Sequence, residues 1–264
     1  MRSRSSKCQP VLQLTIVIAL GLACTLAQAS DREKPLAEYR AAYTTGKIHV
    51  DGKINEEDWE RAKTVQLRTR LKAEGRGVRM KTWAKVLWDE SYLYVAFRCD
   101  DPDIWSPSDH RHDSPLFKGE VVEAYVDPDG DGKNYLEYEL SPHGQTLDLK
   151  IPQPPPDDWE SLARWDSAGL LTAVRINGTL QDRTDKDRLW TAEIAIPWKD
   201  FEGLGAKHLP PHSGDVWRLQ LYRIERAASL GDAQFTAWSP TYDFHVPERF
   251  GRVKFVKRPK PYRR

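Results

Sequence analysis

Between residues 82 and 99 apolar and polar side chains alternate through Thr82-Trp83-Ala84-Lys85-Val86-Leu87-Trp88, break at Asp89-Glu90-Ser91, and alternate again from Tyr92 to Cys99. A period of two sends successive side chains to opposite faces, so this stretch predicts a β-hairpin. Leu93, Val95, Phe97 and Cys99 share its core face, which makes Cys99 a buried small hydrophobe rather than a reactive thiol. The same pattern predicts strands over 120–126, 135–140, 146–151, 171–177, 189–196 and 216–223, with a closing strand over 252–256. Only two helical turns fit. One is 56–62, where Asn55 can cap the first amides and Glu56, Glu57 and Asp58 complement the dipole; the other is 198–201, begun by Pro197. The stretch 153–158 holds three consecutive prolines and predicts an extended surface connection. The expected fold class is all-β, a β-sandwich or jelly-roll-like fold with one or two short helical turns.

The N-terminus breaks this pattern. Arg2, Arg4 and Lys7 precede an apolar run from Val11 to Leu26 that ends in Ala27-Gln28-Ala29, the form of a secretory signal peptide cleaved after Ala29. Cys24 offers a lipoprotein alternative, although Gly21 stands where a bulky aliphatic residue is expected. Cleavage after Ala29 removes Cys8 and Cys24 and leaves Cys99 alone, so no internal disulfide is expected. The layout is then a signal peptide at 1–29, an extension at 30–40, one β-sandwich at 41–257 and a basic tail at 258–264. The chain is read as exported to the periplasm or beyond the cell, with no transmembrane segment in its mature part.

Composition sharpens the choice of partner. Forty basic and thirty-nine acidic side chains leave a formal charge of +1, which offers no broad field for nucleic acid or an anionic membrane. Ten Trp and ten Tyr against two Met favour strands and ring-stacking surfaces.

Six motifs follow one another in order. They are Ile48-His49-Val50-Asp51-Gly52-Lys53-Ile54 with Trp59 and Ala62; Trp88-Asp89-Glu90 with Tyr92-Leu93-Tyr94-Val95; Asp100-Asp101-Pro102; and Val121-Val122-Glu123-Ala124-Tyr125-Val126-Asp127-Pro128. Trp190-Thr191-Ala192-Glu193-Ile194-Ala195-Ile196-Pro197-Trp198 and Phe250-Gly251-Arg252-Val253-Lys254-Phe255 complete the series. In this order the chain resembles the family 9 carbohydrate-binding modules and their family 9-like relatives. The resemblance implies non-catalytic binding of a mono-, oligo- or polysaccharide, association with glycoside hydrolases, and structural calcium.

That family grips a terminal sugar between two aromatic rings. By position the resemblance places the first ring at Phe117, six residues before Glu123, and the second at Phe244, six before Phe250. Both are Phe here, with less stacking area than Trp and no indole donor. Glu123 is the polar partner, and alternation with Val122, Ala124 and Val126 turns it, with Tyr125, away from the core onto an open strand face. Glu139 lies near the position of the family's Arg, exchanging a donor for an acceptor. Thr241, Phe244 and His245 belong to a loop over 238–245 rich in aromatic and hydrogen-bonding groups, whereas Trp238 reads as core.

Other chemistry is less well supported. Trp105, Asp109, His110, His112 and Asp113 crowd the segment 101–118 but match no metal-ligand spacing. Asp127-Pro128-Asp129-Gly130-Asp131-Gly132 imitates the first half of a calcium loop, but Tyr138 occupies the twelfth position, where a bidentate Glu belongs. A haem-binding electron-transfer sandwich is the alternative reading, with Met80 as its sole methionine candidate, and a glycoside hydrolase using Glu123 and Glu139 is a further one.

Overall fold

A computed structural model describes residues 34–71, 77–107, 112–156 and 158–257. The expected signal peptide with Cys8 and Cys24, the pair Asp109 and His110, and the basic tail lie outside the described residues. Within them, alternation becomes thirteen strands. These are β1 (Glu38–Tyr43), β2 (Val65–Gln66), β3 (Thr69–Leu71), β4 (Thr82–Trp88), β5 (Tyr92–Asp100), β6 (Val121–Asp127) and β7 (Tyr135–Leu140). They continue with β8 (Thr146–Ile151), β9 (Leu171–Asn177), β10 (Leu189–Pro197), β11 (Val216–Glu225), β12 (Gln234–Ala237) and β13 (Gly251–Val256). Two short helices, α1 (Glu57–Arg61) and α2 (Trp159–Leu162), complete the regular elements, with single 3-10 turns between strands.

The main path of the sheet runs β8-β7-β6-β11-β13-β1-β4-β5-β10-β9. β1 pairs in parallel with both β13 and β4 and so carries the sheet from one half to the other. The sheet curls until its halves face each other, and the core between them takes the expected faces. Leu93, Val95, Phe97 and Cys99 from β5 meet Val122, Ala124 and Val126 from β6 and Leu136, Tyr138 and Leu140 from β7. The expected all-β, sandwich-like class therefore stands. Trp238 joins this core, edge-on to Tyr39. Its ring also explains Gly251 in the closing Phe-Gly pair: a Cβ there would lie 2.5 Å from Trp238 Cζ3.

Three details differ from expectation. β1 begins at Glu38, within the segment read as an extension. Its Tyr39 is buried, donating to the Lys63 carbonyl at 2.6 Å and accepting from the Val86 amide at 3.0 Å. The helix near 56–62 is capped by Glu56 rather than Asn55, with no side-chain capping bond, because Glu56 Oε1 instead accepts from the His49 amide. α2 was not anticipated; it follows the proline run and is capped by Asp158, which accepts from the Ser161 amide at 3.0 Å.

Two buried polar knots fasten the halves. Glu193 on β10 accepts from the Trp59 indole at 2.9 Å, the Gly52 amide at 2.8 Å and the Asp51 amide at 3.1 Å. One carboxylate thus ties together the Asp-Gly, the Trp and the strand motif that lie far apart in the chain. On the other half, the buried Arg223 guanidinium donates to Asp101 at 2.8 Å and to Glu225, with Glu120 at 3.6 Å, and lies over the Trp190 ring. Removing one partner of such a buried set is expensive, because the remaining charges lose their compensation.

Burial pushes the Glu193 carboxyl up to about 7, against the pull of its three donors. Its folded value exceeds its unfolded one, so its contribution to stability is fully present below the ordinary carboxylate range and is lost as pH rises through about 7. Glu193→Gln is therefore expected to flatten the decline in urea midpoint between pH 5 and pH 8. Glu193→Ala, which strands three donors, should lower stability by about 3 kcal/mol in the same measurement.

Candidate functional site

The pleat that directs Val122, Ala124 and Val126 inward turns Glu123 and Tyr125 to the outer face of their half-sheet. Register fixes their neighbours. Glu123 lies between Tyr222 on β11 and Glu139 on β7, and Tyr125 pairs with Glu137. Alternation along 120–126 and 135–140 correctly separated these residues from the core, but the face is not open as expected. Glu123, Glu137 and Glu139 are only 1%, 2% and 2% exposed. A second apolar cluster roofs them: Leu116 and Phe117 from a 3-10 turn, Trp159 and Leu162 from α2, and Phe235, Phe244 and Phe250 from the last third of the chain.

Beneath this roof lies a cavity of about 460 Å³, inside the usual range for small-ligand sites. It brings together five of the six expected site residues: Phe117, Glu123, Glu139, Phe244 and His245. Thr241 is the exception and is corrected. Its side chain is fully buried and its Oγ1 donates to the Asp243 carbonyl at 2.9 Å, so it shapes the loop from behind. His245 takes a left-handed backbone (φ 50°), bonds Tyr135 through Nδ1 at 2.8 Å, and holds Nε2 at 3.8 Å from Glu137 Oε2.

Other lining residues went unnoticed in the sequence. Tyr125, which alternation turns to this face, donates to Glu137 Oε1 at 2.8 Å. Trp159 packs edge-on against Phe117, with ring centroids 5.6 Å apart, and Phe235 packs likewise against Phe244 at 5.9 Å. Arg226, just past β11, donates to the Phe117 carbonyl at 3.0 Å and the Gly119 carbonyl at 3.0 Å, and so anchors the turn that presents Phe117. The cation missing near Glu139 is thus supplied from another strand end, turned toward backbone. No local pattern marks Trp159 or Arg226.

Burial raises the Glu123 carboxyl well above the carboxylate range, reinforced by the neighbouring Glu137 charge. Burial does the same for Glu139, with added repulsion from Glu123 and Glu137. One oxygen of each of the three carboxylates, Oε2, is buried without a hydrogen-bond partner. A larger concavity of about 550 Å³ opens on the other half-sheet near Lys53, Trp83, Arg98 and Arg175. It holds no comparable set of buried titratable groups, so the smaller cavity is the better candidate.

Three further acidic groupings merit comparison. His112 Nδ1 donates to the Thr146 carbonyl at 3.1 Å, and its Nε2 faces Asp166 at 2.7 Å, Asp113 at 3.5 Å and Asp148 at 4.0 Å. These donor types suit a divalent cation. The acids surround the imidazole: burial opposes its charge, but Asp166, Asp113 and Asp148 together raise its pKa above the ordinary histidine value. Asp127 turns both oxygens to backbone amides, of Gly130 at 2.8 Å and Gly132 at 3.0 Å, closing an Asp/Gly turn that brings Asp129 and Asp131 near it. The third grouping, Asp101, Glu120 and Glu225, is the set that surrounds Arg223. Met80 stands outside the cavity, bonded through its backbone to Gln234.

Comparison with known proteins gives a consistent result. The family described as carbohydrate family 9 binding domain-like matches residues 50–258. A family 9 carbohydrate-binding module from Caldicellulosiruptor kristjanssonii, in complex with cellotriose, superposes with a TM-score of 0.60 at 15% identity, covering 86% of this chain and 97% of that one. In complex with glucose the values are 0.58 and 16%, over 86% of this chain and 100% of that one. A protein from Bacteroides uniformis gives 0.60 at 14% identity, over 84% and 100%. At these identities the likeness is one of fold. No curated protein sequence matches the chain.

The crowded carboxylates make the site a point of stored instability. Burial raises the Glu139 carboxyl above its unfolded value, so its contribution to stability falls as pH rises above the ordinary carboxylate range, and Glu139→Gln is expected to raise stability at pH 8 by about 1 kcal/mol. The gain should shrink at pH 5, closer to the ordinary carboxylate range, where folded and unfolded chains differ less in proton uptake. Thermal melts of both proteins at the two pH values check this.

Proposed function

The chain belongs to the carbohydrate family 9 binding domain-like family, and on that premise we propose that the roofed cavity binds a sugar ring and leaves it chemically unchanged. The observation that carries this reading is the convergence, in one cavity, of aromatic side chains and buried carboxylate oxygens without partners. Phe117, Trp159, Phe235 and Phe244 supply flat apolar surface for the C–H faces of a pyranose. Glu123, Glu137 and Glu139 supply acceptors for its donors. Both solved complexes of the Caldicellulosiruptor module hold glucose or a glucose oligomer, which supports a carbohydrate as the ligand class.

The geometry argues against hydrolysis. A glycosidase sets two carboxyl groups on either side of the bond it breaks. Glu123 and Glu139 are instead neighbours across one strand pair, on one floor of the cavity, and both are raised by burial. A bound ring meets them from a single side.

We further read the chain as exported. The support is the basic start, apolar run and Ala-Gln-Ala at 27–29, and no helix among the described residues is long and apolar enough to cross a membrane. Polysaccharide outside the cytoplasm, alongside the hydrolases that degrade it, is the matching context.

Phe117→Ala and Phe244→Ala should each weaken retention on polysaccharide in affinity electrophoresis by about tenfold, in line with the loss of a stacked ring, while circular dichroism remains that of the folded sheet. Retention equal to wild type in both variants would place the ligand elsewhere. Independently, N-terminal sequencing of the protein recovered from the periplasm or medium of a bacterial host should begin at Ser30; an intact Met1 there would sink the export reading.

A further inference from the structure

Three buried acids sharing one wall are hard to explain by neutral sugar chemistry alone. One oxygen from each of Glu123, Glu137 and Glu139 lies within 4.8 Å of the other two. The Oε2 atom of each is buried and has no hydrogen-bond partner. The nearby cation does not answer them, since Arg226 spends its guanidinium on the carbonyls of Phe117 and Gly119. His245 reaches only Glu137, and at 3.8 Å. Tyr125 satisfies the other oxygen of Glu137. What remains at the floor of an aromatic cavity is a triangle of acids with no cationic partner among the described residues, of which Glu137 and Glu139 lie close enough to share a proton.

We propose that this floor recognises a primary ammonium, so that the preferred ligand is a sugar with a free amine, a glucosamine-type residue in an oligosaccharide. The inference rests on the sugar-binding reading of the same cavity. An –NH₃⁺ group carries three N–H donors, the number of unfilled carboxylate oxygens, whereas a hydroxyl offers one donor and no charge. Bonds between ionised partners are roughly twice as strong as neutral ones, and low local dielectric strengthens them further. The cation also relieves the repulsion among the three acids and favours the ionised form of Glu123 and Glu139, as a neighbouring opposite charge does. The rings of Phe117, Trp159 and Phe244 serve both parts of such a ligand, stacking on the pyranose and attracting the cation through their faces. A divalent metal is the competing occupant. Calcium takes six to eight oxygens, and beyond Glu123, Glu137, Glu139 and Asp243 this cavity presents mainly aromatic rings, prolines, His245 and Arg226.

Isothermal titration of the folded protein at near-neutral pH with glucosamine trimer, its N-acetylated counterpart, cellotriose and calcium chloride tests the proposal. The expected result is at least tenfold tighter binding of the glucosamine trimer than of either neutral trimer. That preference should fall with added salt and vanish in Glu123→Gln and Glu139→Gln, whose folding is checked by circular dichroism. Equal affinity for all three trimers overturns the ammonium inference and leaves sugar binding intact. Binding of none of them overturns the sugar reading itself, and heat released by calcium alone assigns the floor to a metal and overturns the proposal.

Discussion

A β-strand sends its side chains to two faces in strict alternation, and in β6 and β7 both faces are buried. Everything distinctive about this molecule follows from that constraint. One face must match the apolar core between the half-sheets, and it does so with Val122, Ala124, Val126, Leu136, Tyr138 and Leu140. The other face is free of the core's demands but closed to bulk water by α2, the Phe117 turn and the loop before β13. Acids placed there are desolvated, with Leu147 and Leu149 of β8 as the cross-strand neighbours of Glu139 and Glu137. A slip of one residue in register would exchange the two sets and destroy both core and cavity.

Closing a sheet on itself requires fasteners where hydrophobic contact alone does not choose a geometry, and the two polar knots occupy such places. Glu193 gathers donors from the N-terminal segment onto the outer side of one half. Arg223 collects acids from three segments at the end of the other. The motifs that recur in order along the chain are largely the ends of these knots. Asp-Gly presents two backbone amides, Trp59 an indole, and β10 the carboxylate that receives them. Trp238 and Gly251 show the same dependence in apolar form, one side chain existing where it does because the other has none.

The cavity inverts the logic of those knots. Glu193 is buried with its oxygens bonded to three donors, and Arg223 is buried with its charge paired to acids, while Glu123, Glu137 and Glu139 crowd like charges together with one oxygen each unanswered. Native structures seldom leave such groups without a reason, and ligand sites are where the exceptions collect. Roof and floor come from segments that share no local pattern: Arg226 fastens the Phe117 turn from the far end of β11, and Trp159 reaches the same ring from α2.

What the amino-acid order determined by itself was whatever depends on near neighbours. The hairpin over β4 and β5, the extents of β7, β8 and β9, the inward set on β6, and the burial of Cys99 and Trp238 all follow from period-two alternation, which is local. The ordered motifs carried the family, and Phe117, Glu123, Glu139, Phe244 and His245, named from the sequence as ligand candidates, line one cavity. Tertiary structure decided the rest. β1 lies in a segment read as an extension, and it pairs as a strand where β13 and β4 flank it. Thr241 lies in the right loop but faces backward, since a loop has no period from which orientation can be read. Above all, whether the acidic face met water or a roof depended on segments far from it in sequence, and burial, unlike alternation, is a property that no strand possesses alone.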